Sequence, residues 1–367
     1  MMLRSLKAGG RGAVIPSTAL VRGRRAWTDA AFRAALTAAA LLVVVLVAWM
    51  LVQLVVAALP SIRRFGAAFL WTGRWDPVHE IFGAVTFAYG TAASSLLALL
   101  LAVPVSLGAA VYLAEIAPRA VFTTLSFVIE LLASIPSVIL GLWGVFVMAP
   151  WLRRVVEPAL AGAFGRLPLF SGPAYGIGLL AGGVILAIML LPIISSVSRE
   201  VIRAVPQSQR EAAYALGATR WEMIRRAVLP YGRTGLVGAV ILGLGRALGE
   251  TMAVTMVIGN RPQVSASLFQ PAYTIAAALA NEFSEAATGI YISALIELAA
   301  VLFVISLLVN AAARWLVWRV GAAPADFQGS RIRDRPSANT VQIKGDCSYS
   351  GLADASASTL YRARKEP

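Results

Sequence analysis

Long apolar segments alternate with short polar connections along most of the chain. Six of these segments hold about 20 or more residues, enough for a helix that rises about 1.5 Å per residue to cross a hydrocarbon core of about 30 Å. They lie near residues 35–59, 83–113, 126–149, 175–197, 235–258 and 289–317. The pattern predicts an all-α, polytopic membrane protein with six transmembrane helices.

The composition excludes an ordinary soluble domain. Of the 367 residues, 59% are hydrophobic and 14% are charged, whereas soluble domains carry roughly 25% charged residues. The single histidine, His79, and the single cysteine, Cys347, cannot build a His/Cys metal cluster or an intrachain disulfide. No metal site is therefore expected.

The basic residues predict how the helices are oriented. Twenty-four of them fall in the two terminal regions, the connection near Arg119 and the loop at 198–234, whereas the three alternate loops hold seven. Cytoplasmic loops are enriched in Lys and Arg, so both termini and the long loop are expected in the cytoplasm. This topology accounts for the positive net charge without a nucleic-acid partner.

Three regions follow from this topology. Residues 1–34 are expected to form a basic cytoplasmic N-terminal segment. Residues 35–320 form the six-span domain, which includes a cytoplasmic loop at 199–234. Residues 321–367 lose the apolar periodicity and are expected to form a disordered cytoplasmic tail.

The long loop carries two helix-start patterns. Ser208 with Glu211, and Thr219 with Glu222, each have the spacing of a capping box. Gly217 is placed to end the first helix in a left-handed turn. Two short cytoplasmic helices are therefore predicted.

The second of these helices has an apolar face. Trp221, Ile224 and Val228 recur at helical spacing, and the helix is expected to stop before Pro230. Such a face packs either on a partner protein or on the lipid surface, and spacing alone leaves both open.

The loop resembles the coupling-loop motif of the permeases of ATP-binding-cassette (ABC) importers. That motif reads Glu-Ala-Ala, three residues, Gly, nine residues, Ile, one residue and Leu-Pro, and the chain reads EAAYALGATRWEMIRRAVLP. The matching residues are Glu211, Ala212, Ala213, Gly217, Leu229 and Pro230, while Ala227 stands at the Ile position. The resemblance implies the type I importer permease fold, in which this loop docks on a separate ATPase.

A wider part of the chain, residues 70–317, is similar to the C-type permeases of the phosphate-specific transport system. The segments that carry this resemblance are WDPVHEIFG, LAEIAP, IELLASIPSVILGLWG and LGRALGETMAVTMVIGN. It implies a multi-pass subunit of a bacterial plasma (inner) membrane that imports inorganic phosphate. The implied partners are a second homologous permease, two ATPase subunits, an extracytoplasmic phosphate-binding protein and membrane lipid.

The chain is not expected to be an enzyme. A P-loop requires a lysine after a glycine-rich turn, and Lys7, Lys344 and Lys365 do not fit that pattern. No cofactor is expected in this chain, and the resemblance assigns ATP and magnesium to the partner ATPase.

A charged pair stands inside the fifth apolar segment. Arg246 and Glu250 lie within GLGRALGETMAV, where a charge at mid-membrane costs about 2.5–3.5 kcal/mol on insertion scales. On one helix they would share a face about 6 Å apart along the axis. Arg before Glu is the weaker order for helix stabilisation, so local stability does not explain the pair.

Two interpretations of Arg246 remain open. It can act as structural glue by pairing with Glu250, Glu130 or Glu297, or it can lie on a translocation path and bind a phosphate oxyanion through its planar guanidinium. On the path, Glu250 would hold Arg246 and favour an anion that still carries a proton, which fits phosphate better than sulfate. The resemblance favours the path, because the charged pair of this motif is regarded as needed for transport in the phosphate permeases.

Room for an anion is suggested by the three glycines of the same segment. Gly243, Gly245 and Gly249 thin the helix beside Arg246. Two other functions stay open: the same architecture could import molybdate or sulfate, or the chain could be an anion transporter or channel that works without an ATPase.

Overall fold

The structure, a computed structural model, describes residues 22–321. Within that range the chain is helical, without strands and with two isolated bridges. Apart from single turns at Ala68–Trp71 and Pro168–Phe170, the helices are α1 (Arg22–Phe65), α2 (Val85–Ile116), α3 (Arg119–Ser134), α4 (Ser137–Phe164), α5 (Leu179–Arg203), α6 (Gln207–Ala215), α7 (Arg220–Gly249), α8 (Met252–Val257), α9 (Ile275–Glu282) and α10 (Gly289–Gly321). Six of them, α1, α2, α4, α5, α7 and α10, are long and apolar enough to cross a membrane, which confirms the predicted number of spans.

Helix α5 lies at the centre of the bundle. It packs along α2 and also contacts α3 and α7. Its residues Ile185, Leu190 and Ile194 are fully buried. Gly183 allows the close approach of α2, because a Cβ there would lie 2.5 Å from a side-chain carbon of Leu97.

The third span differs from its prediction. Pro136 predicts a kink or a broken turn within the segment at 126–149, and the structure has a break there: α3 ends at Ser134 and α4 begins at Ser137. Ile135 between them is extended, because a residue before proline is disfavoured in the helical conformation. The spanning helix is α4, which continues to Phe164.

The fifth span also differs from the prediction of one helix over 235–258. It starts earlier, at Arg220, and stops at Gly249, where Glu250 has the extended angles φ −74° and ψ 126°. The glycines in LGLGRALGE weaken the helix, since each costs roughly 1 kcal/mol relative to alanine. The chain resumes as the short helix α8.

Helices α1 and α10 pack side by side, and a hydroxyl of α10 bonds to the backbone of α1 near Pro60. Pro60 lies inside α1, where its ring disturbs the hydrogen bonds of the preceding turn. The Ser61 backbone N–H donates to Ser293 Oγ at 3.0 Å, and that hydroxyl donates to the Ala57 carbonyl at 3.0 Å. Ser293 of α10 thus bonds to two backbone groups of α1 next to Pro60 and joins the two helices at this point.

The predicted regions can be followed only in part. Helix α1 begins at Arg22, inside the basic segment predicted at 1–34. Residues 1–21, and the predicted tail from residue 322 onward, lie outside the described residues.

Candidate functional site

A groove of about 710 Å³ runs along one face of α7 and holds both charges of the fifth span. Helix α7 contributes residues at helical spacing from Gly238 to Gly249, followed by Glu250 just beyond its end. Ile193 of α5 and two residues of α10, Asn310 and Arg314, complete the lining. The groove is therefore polar at several points along an apolar surface.

Arg246 and Glu250 line this groove four residues apart, without a hydrogen bond between them. Arg246 Nη2 lies 3.9 Å from Glu250 Oε2, beyond the 2.7–3.2 Å of an N–H···O bond. The Arg246 side chain is 49% exposed and that of Glu250 is 8% exposed. Among residues 22–321, no acceptor takes a hydrogen bond from the Arg246 guanidinium, so its donors are available to an anion in the groove.

Glu250 is held by the chain that follows it. Its Oε1 accepts from the Ala253 backbone N–H at 3.4 Å, at the start of α8. The break in the span thus turns the carboxylate toward both the groove and the next helix. The extended backbone at Glu250 places it differently from the continuous helix that the sequence predicted, although the two charges remain close.

The two other acids considered as partners of Arg246 lie elsewhere. Glu130 of α3 lies 3.8 Å from Arg199 of α5. Glu297 is buried in α10, and its Oε2 has no partner among the described residues. Of the three pairings that the sequence left open, the structure brings only Glu250 to Arg246.

The glycines of α7 fall into two groups. A Cβ at Gly243 would lie 2.8 Å from two carbons of Ile194, so this glycine serves the packing of α7 on α5. A Cβ at Gly238, Gly245 or Gly249 would meet nothing within 4 Å. The expectation that Gly243 leaves room beside Arg246 is therefore wrong, whereas Gly245 and Gly249 do border open space.

The cytoplasmic loop folds as a helix–turn–helix. Gly217 has φ +80° and ends α6 in the expected left-handed turn. Thr219 caps α7: its side chain accepts from the Glu222 backbone, while Glu222 Oε2 accepts from the Thr219 backbone at 3.0 Å. The second capping box is thereby confirmed.

Two details of the loop differ from the prediction. Ser208 is not the N-cap of α6, because Pro206 occupies that position and the helix begins at Gln207. The second helix does not stop before Pro230. It continues through a π-helical turn at Ile224–Val228 into α7, and Pro230 lies in the first turn after it, where its missing N–H is tolerated.

The apolar face of the second helix is divided between two environments. Ile224 and Val228 are buried against Ala110 and Ile202 of the same chain. Trp221 is 60% exposed, and Leu216 beside it in the turn is 89% exposed. The surface left for a partner is therefore the turn itself, which the periodicity did not indicate.

The six residues of the loop motif divide in the same way. Ala213 and Leu229 pack against the buried cluster around Ile202. Glu211, Ala212, Gly217 and Pro230 are exposed.

A buried ion pair, which the sequence did not reveal, joins this loop to the end of α2. Arg210 donates to Glu115 Oε1 from Nη2 at 2.8 Å and from Nε at 3.2 Å. The Arg210 side chain is 13% exposed and that of Glu115 is 8% exposed. Arg210 also donates to two backbone carbonyls, that of Ile202 in the last turn of α5 and that of Val205 just after it. One guanidinium thus connects α6, α2 and α5.

Comparison with known proteins agrees with this architecture. The family model described as "Binding-protein-dependent transport system inner membrane component" matches residues 102–321. A protein of Mesorhizobium japonicum named "Phosphate transport system permease protein PstC" is 48% identical over 82% of this chain and 93% of its own length. A protein of the same name from Haemophilus influenzae is 46% identical over 80% of this chain and 94% of its own length.

Solved structures show the same fold. A bacterial ABC transporter "involved in the import of the acidic polysaccharide alginate" has a TM-score of 0.51 at 19% identity, covering 80% of this chain and 99% of that one. An inward-facing form of the MetNI methionine ABC transporter has a TM-score of 0.50 at 20% identity, covering 67% and 99%.

Proposed function

We propose that this chain, which belongs to the family of binding-protein-dependent transport system inner membrane components, is the permease subunit of an ATP-driven importer of inorganic phosphate. The observation that carries the proposal is 48% identity, over 82% of this chain, to a protein named as a phosphate transport permease. The six spans and the cytoplasmic helix–turn–helix are the parts that such a subunit requires.

The groove along α7 is the proposed phosphate path. The Arg246 guanidinium presents parallel N–H donors that match two oxygens of a phosphate. Glu250, 3.9 Å away, keeps the guanidinium beside the groove. As a hydrogen-bond acceptor it favours an anion that still carries a proton, as phosphate does near neutral pH and sulfate does not.

The exposed turn between α6 and α7 is the proposed contact with the ATPase. Leu216 and Trp221 give it an apolar surface that the described part of the chain does not cover. ATP and magnesium would bind to two separate ATPase subunits, because this chain has no P-loop lysine. A second homologous permease and an extracytoplasmic phosphate-binding protein complete the proposed complex.

Transport would proceed by alternating access. The binding protein delivers phosphate from outside. ATP-driven closure of the ATPases then draws together the docking turn of this chain, between α6 and α7, and the corresponding turn of the second permease. Arg210 would transmit this movement, since it ties α6 to the end of α2 and to α5. ATP must bind more tightly to one conformation than to the other for the equilibrium to shift.

The proposed location is the plasma membrane of a bacterium, with both termini in the cytoplasm. The excess of basic residues in the terminal regions and in the 198–234 loop supports this orientation. The docking turn at Leu216 then faces the cytoplasm, where ATP is available.

Transport of labelled phosphate tests the proposal. The complex of this chain with its partner subunits is reconstituted in liposomes, and uptake is measured with and without ATP and binding protein. We expect uptake that needs both and that excess sulfate or molybdate does not inhibit. Transport of molybdate or sulfate instead would retain the architecture and overturn the phosphate assignment, and uptake without ATP would indicate an anion transporter or channel.

A further inference from the structure

The groove beside Arg246 also contains a second arginine. Asn310 and Arg314 of α10 lie one helical turn apart and line the same groove as Arg246 and Glu250. Arg246 lies three residues before the end of α7 at Gly249, whereas Arg314 lies seven residues before the end of α10 at Gly321. In the proposed topology these helices run in opposite directions, so Arg314 belongs to the cytoplasmic half of the groove.

We propose that Asn310 and Arg314 form a second oxyanion site, to which phosphate passes from Arg246 before it is released into the cytoplasm. This inference rests on the proposed function of the chain. Arg314 supplies the same planar set of donors as Arg246. Asn310 donates one amide hydrogen to the Ser306 carbonyl at 2.9 Å and keeps its second for a ligand.

The shape of the groove supports transfer between two sites. The α7 residues that line it, from Gly238 to Gly249, extend over about 16 Å of helix. Gly238 and Gly245 leave space along this length, because a Cβ at either position would have no other atom of the described chain within 4 Å. One tight site in a path of this length would retain the anion, whereas two weaker sites allow it to move on.

The charges in the groove fit a singly charged anion. Two arginines and Glu250 leave one net positive charge when the carboxylate is ionised. Dihydrogen phosphate, with one negative charge, neutralises it.

Arg319 provides a matched control for Arg314. It belongs to the same helix but does not line the groove, and its guanidinium lies 4.2 Å from the centre of the Trp315 ring. Five residues separate the two arginines, which places them about 140° apart around α10. If Arg314 served only as a cytoplasmic charge that orients the helix, loss of either arginine would have the same effect.

The first test compares Arg314→Gln and Arg319→Gln in the reconstituted complex. We expect Arg314→Gln to lower the maximal rate of phosphate uptake about tenfold or more, since a charged hydrogen-bonding group is lost. We expect Arg314→Lys to restore part of the rate and Arg319→Gln to stay close to the unchanged complex. Stimulation of ATP hydrolysis by the binding protein is measured in parallel and should persist in Arg314→Gln, which shows that the complex is assembled.

The second test measures occupancy directly. Asn310→Cys is made in a Cys347→Ser chain, which removes the only native cysteine, and its alkylation rate is followed in the complex. We expect inorganic phosphate to slow alkylation at least about twofold while leaving the rate at a cysteine introduced at Leu308, outside the groove lining, unchanged. Asn310→Cys retains Arg314, so the arginine can still hold the anion.

Several outcomes would overturn the inference. Equal rates of phosphate uptake by Arg314→Gln, Arg319→Gln and the unchanged complex would do so. An alkylation rate at Asn310→Cys that phosphate does not change would do so as well. A defect of Arg314→Gln that occurs only in liposomes with anionic phospholipid would assign Arg314 to a lipid headgroup instead. If the unchanged complex fails to import phosphate, the proposed function itself is wrong, and this result is distinct from the others.

Discussion

The position of single residues in the groove decides what Arg246 can do. Its guanidinium is half exposed and lies near a nearly buried carboxylate without a hydrogen bond to it. A pair that served as structural glue would be in direct contact, because an unmet hydrogen bond in a membrane is costly. The observed spacing suits an arginine whose donors are completed by a ligand.

Substitution of Arg246 tests this role. We expect Arg246→Ala to lower phosphate uptake about 10- to 100-fold, since the charged hydrogen bonds to the anion contribute about 1.5–3 kcal/mol. Arg246→Lys keeps the charge but loses the planar set of donors, and an intermediate rate is expected. Uptake is compared at equal amounts of assembled complex, and normal uptake by Arg246→Ala would exclude the path role.

The two groups of glycines predict opposite effects of alanine. Gly243→Ala would place a methyl group 2.8 Å from the fully buried Ile194, and we expect a loss of about 1–3 kcal/mol in unfolding free energy. Gly245→Ala meets open space and strengthens the helix, so unchanged or greater stability is expected. Thermal unfolding of the two purified variants measures the difference, and equal midpoints would contradict this division.

At the scale of helices and loops, the sequence predicted the features that depend on residues close together in the chain. The number of spans follows from the length of the apolar segments, and the turn at Gly217 and the cap at Thr219 follow from side chains within four residues of each other. The ends of the third and fifth spans did not follow. Pro136 predicted a break, but only the structure shows that the membrane-spanning helix is α4 rather than α3.

Contacts between distant residues were the other part that the sequence did not reveal. Glu115 and Arg210 are 95 residues apart and carry no local pattern that links them. The groove likewise joins Arg246 to Arg314, which the sequence had placed only among the basic residues of the C-terminal region. Such pairs become visible when the packing of the helices is known.

The ion pair between Glu115 and Arg210 is expected to stabilise the cytoplasmic loop. Glu115→Ala leaves the largely buried Arg210 guanidinium with two backbone carbonyls but no carboxylate, and removal of one member of a buried pair costs about 3–5 kcal/mol. Arg64 and Glu80, whose side chains are 48% and 33% exposed, form a control pair whose loss costs about 0–1 kcal/mol. We expect Glu115→Ala to lower the thermal midpoint far more than Glu80→Ala; similar shifts would show that the buried pair does not stabilise the loop.

The docking turn is expected to bind the ATPase through its apolar side chains. We expect Leu216→Asp to abolish co-purification of the ATPase, because a carboxylate would have to be buried in the contact. Ser208→Asp adds the same charge in the first turn of α6, at the opposite end of that helix from Leu216, and should leave co-purification intact. If the Leu216→Asp variant still co-purifies with the ATPase, the ATPase contact does not lie at this turn.

For the whole molecule, orientation in the membrane connects the groove to the energy source. The same excess of basic residues that predicts cytoplasmic termini also predicts that the exposed Leu216 turn lies on the side of ATP. If the molecule were inverted, Arg314 would belong to the outer half of the groove and the docking turn would face away from any ATPase. Orientation is thus a condition of both proposals.

Reporter fusions measure this orientation. Green fluorescent protein fused after Pro367 folds in the cytoplasm and should fluoresce, and alkaline phosphatase inserted at Ser171, between α4 and α5, should be active only if that connection is outside. We expect both signals from the unchanged sequence, because the alternate loops hold only seven of the basic residues. The exchanged fusions, phosphatase after Pro367 and fluorescent protein at Ser171, serve as controls and should both be silent. Activity of the exchanged fusions would show that the molecule has the opposite orientation. The docking turn could then not be the site at which ATP hydrolysis drives the groove open.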